Sequence, residues 1–134
     1  MSGGGETDLA VLLASMSPEL HDGSYVFVVD EGRGGREEAV VVVAEAEGTT
    51  LVLPRTRADE LGLTYAFVSS WITLRVHSAL DAVGLTAAFA AALTDAGISA
   101  NVVAGYFHDH LFVPEDRRDD AMRVLQDLAS GARC

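Results

Sequence analysis

The sequence predicts an α+β fold, an antiparallel sheet with helices packed on one face, and three observations carry that expectation. Residues 71–77 (Trp-Ile-Thr-Leu-Arg-Val-His) alternate cleanly, so Ile72, Leu74 and Val76 share one face of a strand and Trp71, Thr73, Arg75 and His77 the other. Leu85, Phe89, Ala92, Leu93 and Ala96 then recur at helical spacing, with Gly97 as the stop. Residues 99–104 and 111–113 read as two strands, and the connection from Gly105 to His110 is short enough for an antiparallel hairpin.

The remaining elements follow in order. Leu9, Leu12, Leu13 and Met16 keep helical spacing after a cap at Thr7 or Asp8, and Ser17-Pro18 ends them. After a turn at His21-Asp22-Gly23, residues 25–29 are β-branched and aromatic and read as a strand; the Gly-rich, charged stretch 30–38 is an exposed turn. Residues 39–46 contain four consecutive valines, the pattern of a central strand buried on both faces. Residues 51–53 form another short strand, Pro54 and Thr56 open a brief helix through Leu61 that Gly62 ends, and residues 65–68 are extended. Pro114 ends the hairpin. Glu115 and Asp116 suit the positive end of a last helix, whose buried stripe is Ala121, Val124, Leu125 and Leu128.

From Trp71 onward the order is β-α-β-β-α, the split pattern of ferredoxin-like folds. Residues 8–69 give α-β-β-(β)-α-β. The first half reads as short of an opening strand and the second of a closing one, so each half can complete the other. The expected organisation is a disordered tail (1–6), an N-terminal unit (7–69), a C-terminal unit (70–130) and a second tail (131–134).

Composition narrows the function. With 49% hydrophobic and 22% charged residues the chain carries ample core volume. Twenty acidic against nine basic side chains give a net charge of −11, which repels nucleic acid and anionic lipid. The one cysteine is Cys134, so no intrachain disulfide forms, and a reduced cytoplasm fits. The N-terminal residues have neither the basic nor the apolar region of a signal peptide, and the longest apolar run is far below the roughly 20 residues of a membrane span.

The stretch Val76-His77-Ser78-Ala79-Leu80-Asp81-Ala82-Val83-Gly84-Leu85-Thr86-Ala87-Ala88, together with residues 97–114, resembles the small bacterial ACT-domain proteins; residues 12–20 and Leu51-Val52-Leu53-Pro54 extend the resemblance over nearly the whole chain. It implies a ferredoxin-like, ACT-type sandwich of two tandem ACT-like units, regulatory amino-acid binding and no cofactor. ACT regulatory modules often carry Asp-x-Pro-Gly between the first strand and first helix. Here Asp81-Ala82-Val83-Gly84 lacks the proline, which leaves the ligand open.

The candidate ligand-binding residues are His77, Ser78, Asp81, Val83, Gly84, Leu85, Thr86 and Asn101. The backbone N–H groups at the start of the helix suit a carboxylate, Asp81 an ammonium group, and Asn101 supplies a donor and an acceptor. The structural alternative is that Ser78 or Asp81 caps the helix, Gly84 permits close packing and Asn101 bonds a neighbouring loop. His108 and His110, flanking Asp109, are candidate metal ligands, although no cysteine or HExxH spacing accompanies them; the alternative is hydrogen bonding that pins the hairpin. No catalytic triad or phosphate-loop signature is present, and Gly32 to Gly35 reads as a flexible hairpin loop. Trp71 is either a core or an interface residue. The expectation is a non-catalytic regulatory protein that binds a small molecule, an amino acid by preference, as a homodimer without nucleic-acid or membrane partners. Its rivals are a small enzyme built on His108-Asp109-His110 and a ligand-free protein-interaction module.

Overall fold

A computed structural model describes residues 8–76 and 84–131. The chain divides into two compact units, Asp22–Ser70 and a second unit in which the residues up to His21 join those from Trp71 onward. The N-terminal helix therefore belongs to the unit made by the second half of the chain.

The unit 22–70 contains β2 (Tyr25–Val29), a 3-10 turn at Arg36–Glu38, β3 (Val41–Glu45), β4 (Gly48–Pro54), α2 (Arg55–Leu61) and the opening residues of β5 (Val68–Leu74). Its strand order is β3-β4-β2-β5. This is a complete βαββαβ unit in which the 3-10 turn stands where the first helix would be. The reason is local: Gly32, Gly34 and Gly35 all have positive φ, and few residues separate β2 from β3. β2, already read as a strand from the sequence, is the opening strand of this unit, so the unit is not short of one once the N-terminal helix is assigned to the other. Val26, Val28, Leu51 and Leu53 face Ala58 of α2 and form the core with Leu63.

Two expectations for this unit are corrected. The valine run does not form a central strand: β3 pairs with β4 alone, and Val42 and Val43 are 46% and 44% exposed. Nor is the glycine segment simply a flexible loop. Gly35 is buried with φ 99°, and a Cβ there would lie 3.1 Å from Leu53 Cδ1 and 3.2 Å from Leu61 Cδ1.

The other unit contains α1 (Leu9–Ser15), β1 (Pro18–Leu20), β5 from Trp71, α3 (Leu85–Asp95), β6 (Asn101–Ala104), β7 (Asp109–Pro114) and α4 (Arg118–Ser130). Its strand order is β1-β5-β7-β6. β1 runs antiparallel to β5, with Pro18 opposite Leu74 and Leu20 opposite Ile72, and so supplies the closing strand from the N-terminus. Sequence reading missed β1: three residues beginning with proline carry no periodic signal, and their pairing is set by tertiary contact. α1 opens on Asp8, whose Oδ1 accepts from Ala10 N at 2.9 Å and Val11 N at 3.3 Å. One face of the sheet buries Ile72, Leu74, Leu111 and Val113 against Leu12 of α1, Leu85, Phe89 and Leu93 of α3, and Ala121 and Leu125 of α4. The opposite face carries Trp71, Thr73, His110 and, from the residue after β1, His21. That division matches the alternation expected over residues 71–76; His77, assigned to the same face as Trp71, lies outside the described residues.

Candidate functional site

At the turn into α3, Gly84 is the N-cap with φ 103° and has no side chain to offer. The first helical bond runs from Ala88 N to Gly84 O at 2.9 Å, so the N–H groups of Leu85, Thr86 and Ala87 have no intrahelical acceptor. No capping side chain from the described residues reaches them. Thr86 is exposed. The Leu85 side chain is 3% exposed and belongs to the core, so only its backbone faces this role. Gly84 also meets the packing requirement of the structural alternative, because a Cβ there would stand 3.2 Å from Leu9 Cδ2. Asn101 lies on β6 opposite Phe112 and donates from Nδ2 to Phe112 O at 3.5 Å. No hydrogen bond among the described residues joins it to the α3 turn. His77, Ser78, Asp81 and Val83 lie outside the described residues.

The hairpin between β6 and β7 is closed by Gly105 N donating to His108 O at 2.9 Å. A Cβ at Gly105 would fall 2.8 Å from that same oxygen, so the tight turn requires glycine. Asp109 is 8% exposed, and burial pushes its carboxyl up against the opposing pull of His108. His110, one residue on, points to the other side of the strand. The three residues thus do not converge on one point, and among the described residues no three His, Cys, Asp or Glu side chains gather at metal-binding spacing.

His110 instead belongs to a hydrogen-bonded chain. Trp71 Nε1 donates to His110 Nδ1 at 3.1 Å, and Thr73 Oγ1 lies 3.0 Å from the same nitrogen and 2.7 Å from His21 Nε2. Indole N–H only donates, so Nδ1 of His110 is an acceptor and its proton sits on Nε2. Thr73 then donates to His110 and accepts from His21. His21 stacks on the Trp71 ring with centroids 3.6 Å apart. Burial, followed by the charges of His108, His21 and Arg75, pushes the His110 imidazole down from its ordinary value. The arrangement holds a neutral histidine in one tautomer, which agrees with the hairpin-pinning reading; no local pattern could have revealed it, since His21 and Thr73 lie far apart in sequence.

In the unit 22–70, Phe27, Val29, Thr50, Thr64, Tyr65 and Ala66 line a cleft of about 430 Å3. β5 pairs with β2 only at Tyr25 and Val26, and residues 64–66, expected to be extended from Tyr65 onward, diverge from β2 to open this space. Sequence periodicity gives no sign of such a divergence.

The nested pair of βαββαβ units directs attention to families built from this repeat, and ACT domain profiles match residues 4–70 and 67–127. The chain belongs to the ACT-domain family. Domains of this family are typically ligand-binding and regulatory rather than catalytic. A Vibrio cholerae protein of unknown function, described as a possible transport protein, is 47% identical and superposes with a TM-score of 0.79 over 90% of this chain and 95% of its own. An Agrobacterium tumefaciens protein shares the fold at 17% identity and TM-score 0.63, covering 85% of this chain and 89% of its own. The ligand-free regulatory subunit of aspartate kinase from Thermus thermophilus does so at 9% identity and TM-score 0.60, covering 85% and 98%. No curated protein matches the chain. No described helix of this ACT-domain protein is long and apolar enough to cross a membrane.

Proposed function

We propose that this protein is a non-catalytic, cytoplasmic regulatory module that binds a free amino acid at the turn into α3 and works as a homodimer. The observation that carries this reading is the first turn of α3, uncapped by any side chain among the described residues: three adjacent N–H groups without intrahelical acceptors, beside exposed Thr86, suit a ligand carboxylate. Asp81 is assigned the ligand's ammonium group and Asn101 a flanking polar contact. Family membership supports a regulatory role, and the aspartate kinase regulatory subunit shows the same fold in a protein whose description is regulatory.

The test is a thermal-shift panel of the proteinogenic amino acids on wild type and Thr86→Glu. The variant puts a carboxylate in the first turn, where it stabilises the helix but repels a ligand carboxylate. A ligand at a hundred times its Kd adds about 2.7 kcal/mol to wild type. A selective shift in wild type that disappears in Thr86→Glu is expected. An equal shift in both would remove the ligand from this turn.

A further inference from the structure

β2 is paired unequally on its two sides. β4 accompanies all of it, from Tyr25 opposite Pro54 to Val29 opposite Thr50, whereas β5 meets only Tyr25 and Val26. Arg55 N donates to Ser24 O and Asp30 N to Thr49 O, both at 2.9 Å. Those two bonds set the phase of the ladder: Ser24, Val26, Val28 and Asp30 bond to the β4 side, and the residues between them turn their backbone groups the other way. The N–H and C=O of Val29 therefore point from β2 towards the space that residues 64–66 leave open, the cleft of about 430 Å3. Tyr65, on its far wall, is held in place: its Oη accepts from Arg55 Nε at 2.9 Å and donates to Asp59 Oδ1 at 2.7 Å.

Three properties select an occupant. A strand whose backbone groups face an apolar cleft accepts another backbone, the arrangement by which an extended peptide adds to a sheet. Successive side chains of such a peptide alternate, so every second one meets the apolar surface that runs from Phe27 and Val29 past Thr50 to Val43. The rim is acidic. Glu45, exposed at the end of β3 and on the same face as Val43, accepts from Thr50 Oγ1 and forms no ion pair among the described residues. With a net charge of −11 behind it, this rim attracts a basic peptide and repels an acidic partner, a second copy of the chain included.

We propose that the unit 22–70 docks an extended basic peptide of a partner protein, which hydrogen-bonds to Val29 and buries an apolar side chain in the cleft between β2 and residues 64–66, beside Glu45. This surface is independent of ligand binding at the α3 turn.

Amide NMR titrations of the intact chain test it, with acetyl-Lys-Xaa-Xaa-Xaa-Lys-amide peptides carrying valine, leucine or phenylalanine at each central position. The best binder is then made with glutamate in place of both lysines, and N-methylated either at its middle residue or at the two beside it. The protein variants are Ala66→Trp, which fills the cleft from an exposed position, and Glu45→Gln, which keeps an acceptor for Thr50 but removes the charge. The expected result is saturable shifts at Val29, Thr50 and Ala66. Binding weakens roughly tenfold in Ala66→Trp and about threefold in Glu45→Gln, is lost with the acidic peptide, and is lost with one of the two N-methylated forms, since only alternate amides face β2. No shift at these residues with any peptide of the set would overturn the proposal. So would equal binding of the acidic and basic forms, or of both N-methylated forms and the parent. Shifts at Val29 and Thr50 that grow with protein concentration without peptide, and vanish in Tyr106→Ser or Phe107→Ser at the exposed hairpin tip, would make a second copy the occupant and overturn it as well.

Discussion

Trp71 donates its indole proton to His110 Nδ1 across 3.1 Å, and this contact decides which nitrogen of the histidine carries hydrogen. Because the indole N–H can only donate, protonating His110 at Nδ1 would set a new N–H against it. Neutral His110 is therefore part of the folded arrangement.

A pH dependence follows from that. The folded-state value of His110 is depressed, so the unfolded chain binds the proton more readily. Its contribution to stability is fully present above the unfolded value of 6.5 and is lost as pH falls below it towards the depressed folded value. The urea midpoint of wild type is expected to drop between pH 7.5 and about pH 5 more than that of His110→Gln, whose amide oxygen still accepts from Trp71 but does not titrate. Taking the difference removes the contribution of Asp109, whose raised carboxyl works in the opposite sense. Parallel curves for the two proteins would show that His110 is not the titrating group. In Trp71→Phe, with one donor gone, the His110 resonance should titrate at higher pH than in wild type.

How much of this was legible in the sequence depends on how local each cause is. Alternation at Trp71, Ile72, Thr73 and Leu74 gave the faces of β5, and Gly62 and Gly97 ended helices where their positive φ is found, because strand pleat and helix stops act over a few residues. The role of Pro18-Glu19-Leu20 was not legible, since it comes from pairing with a strand more than fifty positions away. The same is true of the His21, Thr73 and His110 chain. At the candidate site, the turn at Gly84 was readable from a glycine before a helix and the core role of Leu85 from its helical spacing with Phe89 and Leu93, whereas the packing of Leu9 on Gly84 was not.

Two glycines that look alike in sequence should behave differently. Gly35 and Gly97 both have positive φ, 99° and 74°, but a Cβ at Gly97 meets nothing within 4 Å while one at Gly35 meets Leu53 and Leu61. Gly97→Ala carries only the conformational cost, about 1 kcal/mol. Gly35→Ala adds overpacking and should lose about 2 to 4 kcal/mol in urea unfolding. Equal losses would mean that the core around Leu53 and Leu61 yields freely.

The valine run supplies the sharpest separation of composition from position. Val42 and Val43 lie on β3, paired on one side only and nearly half exposed, whereas Leu51, opposite Val42 on β4, is fully buried. Hydrophobic stabilisation scales with area removed from water, so a valine left half in solvent contributes a fraction of what a buried leucine does. Val43→Thr keeps the β-branch and should change stability by no more than about 0.5 kcal/mol. Leu51→Ala opens a cavity among Val26, Val28 and Leu53 and should cost about 2 to 5 kcal/mol. The two are compared by chemical denaturation at a protein concentration where the chain is monomeric. A loss for Val43→Thr approaching that of Leu51→Ala would show that β3 is covered in solution, and its dependence on protein concentration would then identify a second copy of the chain as the cover.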